Sequence, residues 1–165
     1  MASLLVIHHS PTAATRSLLD AVLAGTEDPE IEGVDVRAVP ALDATADDVL
    51  GADGYILGTP ANFGYMSGAL KHFFDSTFLA IGGALDDKGG AGGSAGASSK
   101  RPFGLFVHGR YDTTGAVRSV LSIVQALGWR QAHEILEVMG DVDDQHLAIA
   151  YELGATLAAN VLEDQ

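Results

Sequence analysis

Five short apolar runs, each closed by turn residues, recur at wide intervals along the 165 residues, over 4–7, 34–39, 55–57, 103–107 and 135–138. Runs of this length, nearly unbroken in Val, Ile, Leu and Phe, read as strands buried on both faces. The stretches between them carry the longer period of a helix. Leu18, Leu19, Val22 and Leu23 fall on one stripe, as do Leu70, Phe73, Phe74 and Thr77, and again Val117, Val120, Leu121, Val124 and Leu127. A final stripe of Leu147, Ala150, Leu153, Leu157 and Val161 follows Asp143 and Asp144, acids suited to a helix N-terminus. Residues 45–50 form a shorter candidate, with Thr45 and Asp48 at capping-box spacing. Strands alternating with helices favour a parallel sheet covered on both faces, because right-handed crossovers place the helices there. The expectation is one α/β domain over residues 1–165, a doubly wound five-stranded parallel sheet in the order 2-1-3-4-5.

Charge and composition remove several function classes. Nine Lys and Arg stand against 22 Asp and Glu, a formal net charge of −13, so a phosphate backbone or an acidic lipid surface is repelled. Nucleic acid is not an expected partner. The absence of cysteine excludes disulfides, thiolate zinc sites and cysteine nucleophiles, and redox chemistry would then require a bound cofactor. The opening "MASLLVIHHS" has no basic leader, and its apolar run is too short for a signal core or a span, so a cytoplasmic protein without membrane insertion is expected. Residues 82–99, "GGALDDKGGAGGSAGASS", offer little to bury and are expected to stay mobile as a solvated loop. A lid that orders over a ligand is the other reading.

In a sheet of that order ligands sit at the carboxyl ends of the strands beside the switch point, where the loops 10–15, 59–65 and 108–115 would meet. The first loop places the hydroxyls of Ser10, Thr12 and Thr15 around a helix start, with small Ala13 and Ala14 allowing close approach. Free backbone N–H groups there suit an anion, although plain N-capping explains the same residues. Neither G-x-x-x-x-G-K nor G-x-G-x-x-G is present, which disfavours nucleoside triphosphates and Rossmann dinucleotides and leaves a monophosphate. The second loop lies in "GTPANFGYMSGALKHFFD", where Asn62, Phe63 and Tyr65 occupy a turn that needs no rings. The third brings His108, Arg110 and Tyr111. Two alternatives use the same loops. A metal site from His8, His9 and His108 is limited because neighbouring strand residues face opposite sides, and a Ser10–His108–Asp112 triad lacks the G-x-S-x-G elbow.

"SPTAAT" resembles the flavodoxin phosphate loop T-x-T-G-x-T, with Ala13 where that pattern has glycine. "GTPANFGYMSGALKHFFD" resembles the flavin-dependent NAD(P)H:quinone oxidoreductases of the tryptophan-repressor-binding-protein type, whose pattern is G-T-P-x-x-F-G-x-M-S-G followed by F-x-D-x-T. Gly58, Thr59, Pro60, Phe63, Gly64, Met66, Ser67, Gly68, then Phe73 or Phe74, Asp75 and Thr77 carry the match. The sharp similarity covers residues 8–16 and 58–77. It implies a flavodoxin-like three-layer sandwich that binds FMN. Ser10, Thr12, Ala13, Ala14 and Thr15 would hold the phosphate, while Thr59, Pro60, Ala61, Asn62, Phe63 and Gly64 would follow the ring edge. His108, Gly109, Arg110 and Tyr111 would form the third wall, with Arg110 placed to meet an anionic flavin edge or a nicotinamide phosphate. The implied activity takes electrons from NADH or NADPH and passes them to a quinone or similar small acceptor, with no metal and no side chain as acid or base. A flavodoxin-type carrier between protein partners is the alternative, and a flavin-fold module without cofactor is a third. A homo-oligomer is compatible with the resemblance.

Overall fold

The computed structural model describes residues 1–90, 92 and 96–165, so residues 91 and 93–95 of the Gly/Ser-rich segment lie outside the described residues. In chain order the elements are β1 (Ala2–His8), α1 (Ala13–Thr26), β2 (Val34–Pro40), α2 (Ala46–Leu50), β3 (Gly54–Asn62), β4 (Tyr65–Met66), α3 (Gly68–Thr77), β5 (Pro102–Gly109), α4 (Thr114–Ala126), β6 (Arg130–Gln131), β7 (Leu136–Met139) and α5 (Asp144–Glu163). The sheet runs β2-β1-β3-β5 with every pairing parallel. On the outer edge of β5, β6 pairs with Pro102 and Phe103, and β7 pairs with Phe106 to Gly109. The expected order is present, with the fifth strand built in two pieces. No helix among the described residues is long and apolar enough to cross a membrane.

Successive residues of a strand face opposite sides, and here each side has its own core. Leu4 and Val6 of β1, Ile56 of β3 and Phe106 of β5 pack with Leu18 and Val22 of α1 and Leu153 and Leu157 of α5. Leu5 and Ile7, Tyr55 and Leu57, and Leu105 and Val107 point the other way, against Phe73 and Phe74 of α3 and Val120 and Val124 of α4. Helix starts are fixed locally. Thr12, Thr45 and Asp143 each close a capping box, and the Ser67 hydroxyl accepts the Leu70 N–H at 3.2 Å.

β3 continues five residues beyond the expected 55–57 and carries Pro60 inside it. Pairing with β1 stops at Gly58, so Pro60 lies where the edge facing β1 is free, a position at which a missing N–H is tolerated. The ends of the 82–99 segment meet at the opposite rim. The Ser98 N–H and hydroxyl donate to the Ile81 carbonyl at 3.3 and 2.7 Å, and Ser98 Oγ accepts from Trp129 Nε1 at 2.9 Å. Trp129 in turn stacks on Tyr55 with ring centroids 4.1 Å apart. The segment therefore leaves and rejoins the fold at the amino ends of the strands, a sheet's length from their carboxyl ends.

Candidate functional site

The carboxyl ends of β1, β3 and β5 open a cleft of about 770 Å³, lined by Thr12, Ala13 and Ala14, by Pro60, Ala61, Asn62, Phe63 and Gly64, and by His108, Gly109, Arg110, Tyr111 and Asp112. That volume is typical of a small-molecule or cofactor site. Ser10, Thr15 and Thr59 do not line it.

The first wall is the start of α1. Thr12 Oγ1 accepts the Thr15 N–H at 3.2 Å, and Thr15 Oγ1 accepts the Thr12 N–H at 3.1 Å. This reciprocal box uses the buried Thr15 for the helix itself. It leaves the N–H groups of Ala13 and Ala14, which have no intrahelical acceptor, at the lip of the cleft. Ala13 opens the helix and is not in the left-handed region, which among the described non-glycine residues holds only Phe63 and Lys100. Alanine in place of glycine is therefore unstrained here. Arg16 folds back over the loop, its Nη1 donating to the Pro11 carbonyl at 3.0 Å. Ser10 Oγ lies 3.0 Å from His8 Nδ1. Burial, and then the neighbouring His9, hold the His8 imidazole below its usual pKa.

The second wall is a hairpin. Ala61 and Asn62 pair antiparallel with Met66 and Tyr65, leaving Phe63 and Gly64 as a two-residue connection. Their φ values are +51° and +77°, the consecutive left-handed pair of a type I′ turn. Asn, Asp or Gly normally take the first of these positions, yet here it is Phe63, with a relative exposure of 109%. Gly64 is required as glycine, since a Cβ would also come within 3.3 Å of Asp112 Oδ2. Behind the turn, Thr59 is buried, its hydroxyl donating to the Pro60 carbonyl at 2.8 Å and accepting the Ser67 N–H at 3.0 Å. Thr59 shapes the loop from inside rather than facing the cleft.

The third wall follows β5. His108 Nε2 lies 2.7 Å from the Gly140 carbonyl and must therefore carry the proton it donates. The Gly140 N–H returns a bond to the Gly109 carbonyl at 2.8 Å. This double clasp ties the loop after β7 to the cleft floor. Arg110 is exposed and pairs with Asp141 at 3.1 Å, not with Asp112. Asp112 instead accepts the Thr114 N–H at 2.9 Å, and its hydrogen bonds to Thr114 hold its carboxyl below the usual range. Sequence reasoning gave Asp112 no role in binding. Its position two residues before the first residue of α4 was the available signal, since Asx side chains accept such N–H groups. Tyr111, at 94% relative exposure, completes this wall. Ser10 bonds His8 rather than His108, and no group of three His, Cys, Asp or Glu gathers among the described residues.

A doubly wound parallel sheet with its cleft at the switch-point strands places the chain in the flavodoxin class of folds. The solved structures agree: a flavodoxin from the domain Archaea superposes with a TM-score of 0.76 at 17% identity, covering 97% of this chain and 99% of that one. A flavodoxin, WrbA-like protein from Agrobacterium tumefaciens superposes with a TM-score of 0.72 at 19% identity over 100% of both. Within that class a family model described as NADPH-dependent FMN reductase matches residues 4–138, and the chain belongs to this family. By sequence it is 36% identical over 88 residues to "Flavodoxin" of Aquifex aeolicus (strain VF5), covering 53% of this chain and 46% of that one. It is 32% identical over 95 residues to "NAD(P)H dehydrogenase (quinone)" of Acidithiobacillus ferrooxidans, covering 47% and 48%. The chain thus spans about half the length of the curated relatives it matches.

Proposed function

We propose that this chain is an FMN-dependent NAD(P)H oxidoreductase that passes electrons to a quinone or similar small acceptor. The observation that carries the proposal is Phe63, a bulky side chain held in a left-handed turn and left fully exposed on the rim of the cleft. Backbone strain and an unburied ring both oppose stability, and strain of this kind persists where a ligand makes use of it. A planar heterocycle in the cleft would cover Phe63 and Tyr111, each worth stacking energy once buried.

The residues present fit FMN. The unpartnered N–H groups of Ala13 and Ala14, at the positive end of α1, suit the phosphate without requiring a lysine. Thr12 would add its hydroxyl, and Ser10 would support the loop through His8. Backbone of Pro60 to Gly64 and of Gly109 would run along the ring edge, where a Cβ on Gly109 would crowd Ala61 and Thr113 at 3.1 Å. His108 would hold the floor through its bond to Gly140. Bound FMN supplies hydride acceptance from reduced nicotinamide and onward electron delivery. A cytoplasmic setting, where reduced nicotinamide is plentiful, belongs to the same proposal.

A flavodoxin-type carrier is the second reading, favoured by the net charge of −13, which steers toward basic partners. One experiment separates the readings: anaerobic mixing of the yellow, FMN-loaded protein with NADPH or NADH. Direct bleaching supports the reductase. Bleaching only after a separate reductase is added supports the carrier, and a colourless protein that ignores added FMN refutes both.

A further inference from the structure

His8 ends β1, and its Nδ1 lies 3.0 Å from the hydroxyl of Ser10, two residues before the cleft-lining Thr12. The other hydroxyls of this loop serve the helix start, Thr12 and Thr15 closing their box on each other. Among the three, Ser10 alone bonds a group that can change its charge.

The permanent cations around the loop are engaged elsewhere. Arg16 Nη1 is turned onto the Pro11 carbonyl, and Arg110, the one Lys or Arg lining the cleft, stands on the third wall paired with Asp141. In a chain of net charge −13, a phosphate arriving at the loop meets an opposing field. The half-buried His8 can supply the missing charge from behind. His9 is the charged group that acts on it, and it opposes protonation. None of Arg37 of β2, Asp43 after it, Arg16 and Asp20 of α1, or Asp144 and His146 of α5 does so, and β3 sets Gly58 beside it. Without a ligand the ring is therefore neutral at pH 7, with no carboxylate in place to hold a proton on it.

Resting on the placement of the FMN phosphate at the start of α1, we infer that His8 takes up a proton when the phosphate binds and that Ser10 transmits the coupling. Neutral, with its hydrogen on Nε2, the ring accepts the Ser10 hydroxyl hydrogen at Nδ1. Protonated, Nδ1 can only donate, so Ser10 Oγ becomes the acceptor and its own hydrogen turns to a phosphate oxygen. The proton comes from solvent, and phosphate binding and protonation strengthen each other by the same factor. Affinity for FMN then rises as pH falls and levels off once the ring is already protonated in the free protein. His8 is a positioning residue, acting on the cofactor through Ser10.

The test follows quenching of flavin fluorescence from pH 8 to pH 6 with FMN and with riboflavin, for the wild type, His8→Gln and Ser10→Ala. The FMN phosphate has its own second ionisation at about pH 6 in all three, so the readout is the difference between proteins. Relative to either variant, wild-type affinity for FMN is expected to rise about tenfold across this range, the gain of one charge-assisted contact. Riboflavin, which lacks the phosphate, should show no such rise. Calorimetry in two buffers of different ionisation enthalpy should register more proton uptake per FMN in the wild type than in either variant. Parallel FMN profiles in the wild type and His8→Gln, equal proton uptake, or a wild-type profile in Ser10→Ala would overturn the inference and leave the phosphate placement standing. Equal wild-type affinity for FMN and riboflavin at every pH would remove the phosphate from this loop and the inference with it.

Discussion

Replacing Phe63 with asparagine should make the cofactor-free protein more stable and the FMN complex weaker. The ring is fully exposed, so its removal sacrifices almost no buried apolar surface. The backbone at +51° is one that asparagine tolerates and a bulky aromatic does not, the left-handed region costing an ordinary L-residue about 1–2 kcal/mol. Because asparagine recovers only part of that cost, the expected gain is about 0.5–1 kcal/mol, or roughly 2–4 °C in Tm per kcal/mol for a chain of this size. With FMN bound the sign reverses, since a ring stacked on a flat heterocycle contributes about 1–3 kcal/mol, or roughly five- to 150-fold in Kd. Two measurements decide it: thermal unfolding of the cofactor-free protein, and FMN titration followed by quenching of flavin fluorescence. A lower Tm in the cofactor-free variant, together with unaltered FMN affinity, would mean that Phe63 packs on protein and that the strain has no ligand behind it.

Four further outcomes follow from the packing and the charges. A Cβ on Gly154 would collide with the Val22 carbonyl, a backbone atom that cannot rotate away, so Gly154→Ala should lower stability by about 1–3 kcal/mol in urea titration despite its better helix propensity. An unchanged midpoint would show that α1 and α5 can separate freely. Ser98→Ala strands Trp129 Nε1 in the core and removes the bond to Ile81, with an expected loss of about 1–3 kcal/mol and a shifted tryptophan emission. His8 has a folded pKa below its ordinary 6.5, so the unfolded chain takes up the proton first; stability is full above that pH and declines as pH falls below it, a slope that His8→Gln should flatten in chemical denaturation from pH 7 to 5. Asp112→Asn removes an ionised carboxylate from the cleft rim and should raise the FMN midpoint potential in spectroelectrochemical titration, the opposite shift counting against FMN beside Asp112.

The centre of the sheet was legible because β1, β3 and β5 are largely buried on both faces and so read as nearly unbroken apolar runs, as in β5, every residue of which is buried, whereas β2 and β7 alternate or lie half exposed at the edges. Legibility failed where strands end and where they are short. Gly58, Thr59 and Pro60 look like turn residues, and only the end of β1 pairing at Gly58 explains how β3 runs through them. β4 and β6 have two residues each, too few for any period to register. At the cleft, motif spacing brought most of the expected residues to one rim, because parallel connections force those loops together. Ser10, Thr15 and Thr59 do not line the cleft, since a hydroxyl near a helix start or strand end serves its own loop and backbone as readily as a ligand.

Local hydrogen bonding separates the two strained residues. Lys100, at φ +70°, has a reason within the fold: its N–H donates to the Gly128 carbonyl at 2.7 Å, and the turn it makes delivers Arg101 to the Val49 carbonyl and the Tyr55 hydroxyl, both at 2.8 Å. Those hydrogen bonds over-determine the backbone and offset the strain on the spot. Phe63 has no such return, because its side chain is bare and the hairpin behind it would close equally well on Asn-Gly. A chain whose local preferences otherwise agree with its fold departs from them where something beyond the fold is served.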